Sequence, residues 1–187
     1  MFTAIEATTD ELRHKALQIR YEVFYREGGD ARYADHERQI WVDQDDGPQS
    51  RIVVGLDSNG EVVGTMRLTR LSDWPFIAHE AYDFKLLASF VGIAESELRQ
   101  SVARVDRVVV SQSSRGEGVF TKMQTYMEYI ACSSSCSVII AAQSLHNNYA
   151  QRAFLKLGWI KCPHVSTYKG FTAQHIYKDL RNLNDNQ

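Results

Sequence analysis

The sequence is poor in the residues that mark several protein classes. Its three cysteines, Cys132, Cys136 and Cys162, are an odd number and form no Cys-x-x-Cys pair, which argues against a disulfide scaffold or a zinc ribbon and suits a reducing cytosol. Every apolar run is shorter than the roughly 18 residues that a membrane helix needs. The N-terminus also lacks the apolar segment of a signal peptide. We therefore expect a cytoplasmic protein with no membrane segment.

An excess of charge of one sign is also lacking. The 21 Lys and Arg residues nearly balance the 23 Asp and Glu residues, which argues against a nucleic-acid binder held by bulk charge. There are only three prolines, and no repeat or Pro/Gly-rich linker divides the 187 residues, so a single domain over residues 1–187 is expected. The six histidines are scattered, and no spacing typical of metal ligands is present, so no metal is predicted.

Hydrophobic periodicity predicts a mixed α/β chain. A Thr8-x-x-Glu11 capping box begins a helix that should run to about Arg26 and stop at Gly28-Gly29. Residues 51–56 and 61–70 should form a hairpin around Asn59-Gly60. The elements expected after the hairpin are a helical insertion at about 75–100 with a break near Gly92, a strand at 101–111, a helix at 117–131, a strand at 137–142, a helix at 147–157, and two strands within 165–180 that turn at Lys169-Gly170.

The segment from Val108 to Val119 is the most informative part of the sequence. An apolar strand ends, a polar loop follows, and Gly116 and Gly118 precede a helix. Glycines there let backbone N–H groups converge on a bulky anion, and the helix N-terminus adds its positive dipole end. Arg115 can add a side-chain charge. The loop lacks the lysine of a P-loop and the third glycine of a dinucleotide fingerprint. The pattern is typical of a pyrophosphate site, and a glycine-rich helix start without a ligand is the alternative.

Two motifs resemble a known family. Residues 113–118 (Ser-Ser-Arg-Gly-Glu-Gly) are similar to the coenzyme A loop, (Gln/Arg)-x-x-Gly-x-(Gly/Ala), of the GCN5-related N-acetyltransferase (GNAT) superfamily, with Ser113 departing from the pattern. Downstream, Asn147-x-x-Ala150 and residues 154–159 (Phe-Leu-Lys-Leu-Gly-Trp) resemble its second signature. Residues 19–29 and 63–68 are similar to the branch of acyl-homoserine-lactone and N-acyl amino acid synthases.

The resemblance implies a central, mostly antiparallel sheet with a splayed parallel strand pair, flanked by helices. It also implies transfer of an acyl group from acetyl-CoA, another acyl-CoA or a carrier-protein thioester to the amine of a small molecule or amino acid. An acyl carrier protein partner and a homodimer are left open. The positions that match the family's donor site are Val108, Val109, Val110, Arg115, Gly116, Glu117, Gly118, Val119 and Asn147. Asn147 could instead simply cap the helix that follows it.

Candidate catalytic residues lie on the strand before the loop. Alternation along this strand puts Arg104 and Asp106 on one face and Arg107 on the other. Asp106 is a candidate base or acceptor-orienting carboxylate, and Arg104 or Arg107 a candidate anchor for an acidic substrate group. The alternative is a structural ion-pair cluster. Asp43, Asp45 and Asp46 are expected to form a solvated turn rather than a cation site.

The leaving-group acid is the weakest element of the pattern. The tyrosine that usually serves in the family aligns with Phe154, which cannot donate a proton, and Tyr149 on the same helix is the remaining candidate. Glu27, near the end of the first helix, is a candidate for the acceptor side. The usual tyrosine is missing, and so is the glutamate that many relatives carry near the position of Arg104. A non-catalytic sensor or scaffold that binds an acyl-thioester is therefore the alternative function.

Overall fold

The computed structural model describes residues 1–73, 82–168 and 171–184. The strands are β1 (Thr3–Glu6), β2 (Ala34–Asp35), β3 (Ile40–Trp41), β4 (Arg51–Leu56), β5 (Val62–Arg70), β6 (Val102–Val110), β7 (Val138–Ser144), β8 (Ile160–Tyr168) and β9 (Phe171–Asp179). The helices are α1 (Asp10–Arg20), α2 (Phe84–Val91), α3 (Glu95–Ser101), α4 (Val119–Ser133), α5 (Asn148–Lys156) and α6 (Arg181–Asn184). A π-helical segment, Tyr21–Glu27, continues α1. These ranges contain no helix whose length and apolar character would let it cross a membrane.

Within the described residues, seven strands form one mixed sheet in the order β1-β4-β5-β6-β7-β9-β8. Antiparallel pairing joins β1 to β4, β4 to β5, β7 to β9 and β8 to β9. Strands β6 and β7 are parallel, in register from Val102↔Val138 to Arg104↔Ile140. The predicted fold class, a mostly antiparallel mixed sheet with a parallel pair and flanking helices, is therefore confirmed.

The chain forms two compact units. The first comprises Met1–Leu68 and Asp106–Tyr129, and the second comprises Thr69–Val105 and Ile130–Gln187. In the first unit, Ala16 of α1 is buried together with Ile52 and Val54 of β4. A larger apolar cluster in the second unit contains Leu71, Phe84, Leu87, Ala88, Val91, Leu98, Val102, Val138, Ile140, Cys162 and Tyr177. The single domain over residues 1–187 stays a prediction.

The first helix begins one residue later than the capping box predicts. Thr9, not Thr8, is the N-cap, and its Oγ1 accepts a hydrogen bond from the Leu12 N–H at 3.2 Å. The correction is small because either of two adjacent threonines has a hydroxyl oxygen that can cap the helix. The backbone conformation determines which one does so. The helical path continues through the π-helical segment to Glu27, and Gly28 follows as its C-cap. The predicted helix end is confirmed.

The predicted hairpin is also confirmed. The turn between β4 and β5 has Gly60 at φ 81°, a left-handed conformation that favours glycine. Asp57 Oδ1 accepts hydrogen bonds from the N–H groups of Asn59 at 2.8 Å and Glu61 at 2.9 Å. Strands β1, β2 and β3 were not predicted, because runs of two to four residues are too short to show a period-2 pattern.

Part of the predicted helical insertion lies outside the described residues, namely residues 75–81. The described part contains α2 and α3, and Gly92 between them has the left-handed φ of 72° that ends α2. The predicted break near Gly92 is confirmed. Two strands occupy the tail as predicted, but β8 begins at Ile160, before the predicted start at 165. The turn expected at Lys169-Gly170 lies outside the described residues.

Candidate functional site

Two strand glycines let α4 approach the sheet closely. Gly55 of β4 and Gly64 of β5 are paired across the hairpin. A Cβ on Gly55 would lie 2.6 Å from Val119 Cγ1, and one on Gly64 would lie 2.9 Å from Met123 Cε and 3.0 Å from the Val109 carbonyl oxygen. The first turn of α4 therefore packs directly onto backbone, which fixes the loop before it. This role is not among the sequence predictions, although a glycine inside a strand is a signal of close approach.

The loop before α4 is open around its two glycines. Gly116 has φ 84° and Gly118 has φ 87°, both in the region that glycine adopts without strain. A Cβ on either would meet none of the described atoms within 4 Å. Across the described ranges, the N–H groups of Gly116, Glu117 and Gly118 donate to no other group. The loop therefore has three main-chain donors and space for an anion next to the N-terminus of α4.

Arg115, the predicted charge of this loop, already has protein partners. Its Nε donates to the Val110 carbonyl oxygen at 3.0 Å. Its Nη2 forms an ion pair with Glu27 Oε2. Glu27, proposed from the sequence for the acceptor side, thus lies beside the glycine loop that was proposed for the donor. Nothing in the sequence links two residues so far apart in the chain.

A buried cluster of opposite charges lies in the first unit. We call it the Arg/Asp cluster, and its members are Arg20, Asp43, Asp45, Asp46, Arg67, Asp106 and Arg107. Arg67 of β5 is fully buried and donates to Asp106 through Nε and Nη2, both at 2.8 Å, and to Asp43 Oδ1 through Nη1 at 2.6 Å. Its Nη1 is also 2.9 Å from Asp46 Oδ1, the same oxygen that accepts a hydrogen bond from Arg20 Nη1 at 2.6 Å.

This cluster corrects the prediction of a solvated turn at Asp43, Asp45 and Asp46. The side chains of Asp43 and Asp46 are only 2% exposed and that of Asp45 is 8% exposed. The physical reason is that a buried guanidinium must be paired, and these carboxylates supply the pairing. The prediction failed because the arginines that pair with these carboxylates are distant in sequence. Without them, a cluster of acidic residues in a turn has the pattern of an exposed turn.

The predicted alternation of side chains along β6 is also wrong at Asp106 and Arg107. Both side chains reach the Arg/Asp cluster, and Arg107 Nε donates to Asp43 Oδ2 at 2.7 Å. Arg107 has φ 51°, and this left-handed residue interrupts the regular alternation of faces. Its guanidinium also lies over the Trp41 ring, 4.7 Å from the centroid. Asp106 and Arg107 thus form the ion pairs of the alternative prediction. A catalytic role for Asp106 stays a prediction.

The charges of the cluster control its protonation. Burial alone would raise the pKa of the Asp43 carboxyl, but hydrogen bonds from Arg67 and the charges of Arg107 and Arg67 outweigh this and lower it to about 2. A carboxylate with such a low pKa is a poor general base at neutral pH. Among the described residues, the cluster brings three guanidinium groups together with four carboxylates. Two nitrogens of the fully buried Arg20, Nε and Nη2, have no hydrogen-bond partner among the described residues.

Three further predicted residues, Arg104, Asn147 and Tyr149, lie in the second unit. Arg104 is half-buried on β6, opposite Ile140. Asn147 Oδ1 accepts a hydrogen bond from the Ala150 N–H at 3.0 Å, which confirms its role as the cap of α5. Tyr149 is 65% exposed, whereas Phe154 is buried and packs edge-on against Trp159. A contact of Asn147 with a donor, and proton donation by Tyr149, stay predictions.

A buried histidine in the second unit, His175, is not among the residues predicted from the sequence. His175 of β9 is only 4% exposed, and its Nε2 lies 2.6 Å from Ser166 Oγ. The rings of His164 and Tyr82 each have centroids 4.6 Å from that of His175. Burial, assisted by the charge of His164, lowers the pKa of His175 to about 4. His175 is therefore neutral at physiological pH.

Comparison with known proteins establishes the class of the chain. The model of the acetyltransferase (GNAT) family matches residues 13–159. The fold, the glycine loop and this match agree, and the chain belongs to the GNAT family. No curated protein matches the sequence significantly.

Solved structures share the fold at low identity. BjaI, a CoA-dependent acyl-homoserine lactone synthase solved with MTA, has a TM-score of 0.71 and 17% identity over 99% of this chain and 86% of its own. TofI, solved with an inhibitor and MTA, has a TM-score of 0.69 and 18% identity over 96% of this chain and 91% of its own. A GNAT acetyltransferase from Staphylococcus aureus Mu50 has a TM-score of 0.61 and 11% identity, covering 97% of this chain and 100% of its own. BjaI was also solved with SAM and isopentyl-CoA.

Proposed function

We propose that the chain is an N-acyltransferase that moves an acyl group from acetyl-CoA or another acyl-CoA to the amine of a small molecule or amino acid. The observation that carries the proposal is the open loop at Gly116 and Gly118, whose N–H groups lie at the start of α4 without internal acceptors in the described ranges. Membership of the GNAT family supports the same donor class. Free CoA suits this loop better than a carrier-protein thioester, because only CoA carries a diphosphate. A carrier-protein thioester is also included as a donor in the assay described below.

The transfer itself requires positioning more than a strong acid or base. A deprotonated amine attacks the thioester carbonyl, the C–N bond forms, the C–S bond breaks, and the amine proton passes to the departing thiolate. Main-chain N–H groups near Val108, Val109 and Val110 are our candidates to stabilise the carbonyl oxygen, a role that contributes about 3–4 kcal/mol in other enzymes. Holding the two reactants adjacent contributes more. The low pKa of Asp43 argues against that carboxylate as the general base.

The rim of the Arg/Asp cluster is our candidate for the acceptor side. The side chains of Asp106 and Arg107 are 18% and 27% exposed, whereas those of Arg20, Arg67 and Asp43 are at most 2% exposed. Asp106 can orient an ammonium group and Arg107 can bind an acidic group of the same molecule. This pairing suits an amino-acid-like acceptor.

The structural relatives suggest which acceptors to test first. BjaI was solved with SAM and isopentyl-CoA, and SAM carries an α-amine and a carboxylate on its methionine part. Free amino acids present the same two groups. We therefore propose SAM and free amino acids as the first acceptors, ahead of amines that lack a carboxylate.

A thiol-release assay tests the proposed function. Acetyl-CoA, longer acyl-CoAs and an acyl carrier protein thioester are each offered with SAM, free amino acids and simple amines, and the free thiol is measured. The expected result is acceptor-dependent release with at least one acyl-CoA. Donor binding without thiol release across the panel would instead support the non-catalytic sensor or scaffold.

A further inference from the structure

Glu27 and Arg115 form an ion pair beside the open glycine loop. Glu27 is the last residue of the π-helical segment, and Arg115 directly precedes Gly116. The guanidinium donates through Nη2 to Glu27 Oε2 and through Nε to the Val110 carbonyl oxygen at 3.0 Å. All of these residues belong to the first unit. The positive charge that directly precedes Gly116 is therefore already paired with a carboxylate of the same unit.

The pair can be broken by a ligand. The side chains of Arg115 and Glu27 are 39% and 27% exposed, and ion pairs with such access to water change an equilibrium by less than about fivefold. A diphosphate carries more negative charge than one carboxylate and would also accept hydrogen bonds from the open N–H groups of the loop. The diphosphate can therefore displace Glu27 from Arg115, but the loss of the ion pair lowers the affinity of the protein for the diphosphate.

We propose that Glu27 competes with the diphosphate of the donor for Arg115, and that this competition sets the affinity for the donor. The inference rests on the proposed function, because it takes acyl-CoA as the ligand of the loop. It reassigns Glu27 from the acceptor side to the donor side. The effect is confined to ligands with a diphosphate, since pantetheine offers no group that competes for a guanidinium.

The experiment is a calorimetric titration of CoA and of pantetheine into the full-length chain and its variants. Glu27→Gln is expected to bind CoA about two- to fivefold more tightly, the range of an exposed ion pair, with pantetheine binding unchanged. Glu27→Ala is a second variant with the same expectation. Glu22→Gln is the matched control, because it breaks the exposed Arg26–Glu22 pair on the same π-helical segment. Its CoA affinity should equal that of the wild type.

A double-variant cycle decides whether Glu27 acts through Arg115. Arg115→Gln should weaken CoA binding, and adding Glu27→Gln to it should then change nothing. The proposal is overturned if Glu27→Gln binds CoA no more tightly than the wild type, or if it tightens CoA and pantetheine equally. It is also overturned if the gain persists without Arg115. A wild type that binds no CoA would refute the proposed function itself, which is a different result from an unchanged affinity in Glu27→Gln.

Discussion

Arg67 and Asp106 form a two-point ion pair between β5 and β6, in which Nε and Nη2 of Arg67 each lie 2.8 Å from a carboxylate oxygen. The other side of the same guanidinium binds Asp43. One buried arginine thus joins two strands to the segment that follows β3. Because the two partly exposed members of the cluster, Asp106 and Arg107, are held by the buried ones, the cluster fixes the positions proposed to bind the acceptor.

Loss of the Asp43 carboxylate should destabilise the protein strongly. Asp43→Asn leaves Arg67 and Arg107 short of a buried partner, and breaking a buried ion pair costs about 3–5 kcal/mol. Urea unfolding at neutral pH measures the change in the free energy of unfolding. Asp73→Asn, at an exposed position, is the control and should change it by less than about 0.5 kcal/mol. Equal stabilities of the two variants would contradict the account of the cluster.

Stability should also depend on pH through His175. Its pKa in the folded protein is about 4 against an ordinary 6.5, because burial disfavours the charged ring. The unfolded chain therefore binds this proton first as the pH falls. The contribution of neutral His175 to the free energy of unfolding is fully present above pH 6.5. It is lost progressively between pH 6.5 and pH 4, at up to about 1.4 kcal/mol per pH unit.

Urea unfolding at a series of pH values between 7.5 and 4.5 measures this dependence. His175→Gln should have a flatter profile than the wild type across this range, although its stability at pH 7.5 is lower. His146→Gln replaces an exposed histidine and should leave the profile as it is in the wild type. A wild-type profile that matches that of His175→Gln would show that His175 is not the group responsible.

Because α4 lies close to the hairpin, substitutions at Gly55 and Val119 should partly compensate each other. Gly55→Ala places a methyl group 2.6 Å from Val119 Cγ1, and overpacking of this kind costs about 1–3 kcal/mol. It should also weaken CoA binding, because Val119 begins α4 directly after the glycine loop. Val119→Ala removes the clashing methyl groups, so adding it to Gly55→Ala should recover part of the stability. Strictly additive losses in the double variant would mean that the two positions do not touch.

The features predicted correctly from the sequence depend on signals within a few residues. The Asn59-Gly60 turn, the break at Gly92 and the glycine loop each contain the residues whose backbone conformation defines them. Because those conformations are local, their residue types can be recognised without knowledge of the rest of the chain.

The features that were missed depend on residues distant in sequence. The hydrogen-bond partners of Arg67 are separated from it by 24 residues, at Asp43, and by 39 residues, at Asp106. No periodic pattern indicates such a pairing, so the sequence predicts that the acidic turn is solvated. The left-handed residue Arg107 is another example, because alternation along a strand can be predicted only where the strand is regular.

The most direct test of the central claim is a calorimetric titration of CoA into the wild type, Gly118→Trp and Gly60→Trp. Gly60 shares with Gly118 a left-handed φ and open surroundings, but it lies in the hairpin turn. If the glycine loop binds the diphosphate, the wild type and Gly60→Trp bind CoA, and Gly118→Trp binds it about tenfold more weakly or not at all, as expected for lost hydrogen bonds to a charged group. Equal CoA affinities of Gly118→Trp and the wild type, or no binding by the wild type, would contradict the claim.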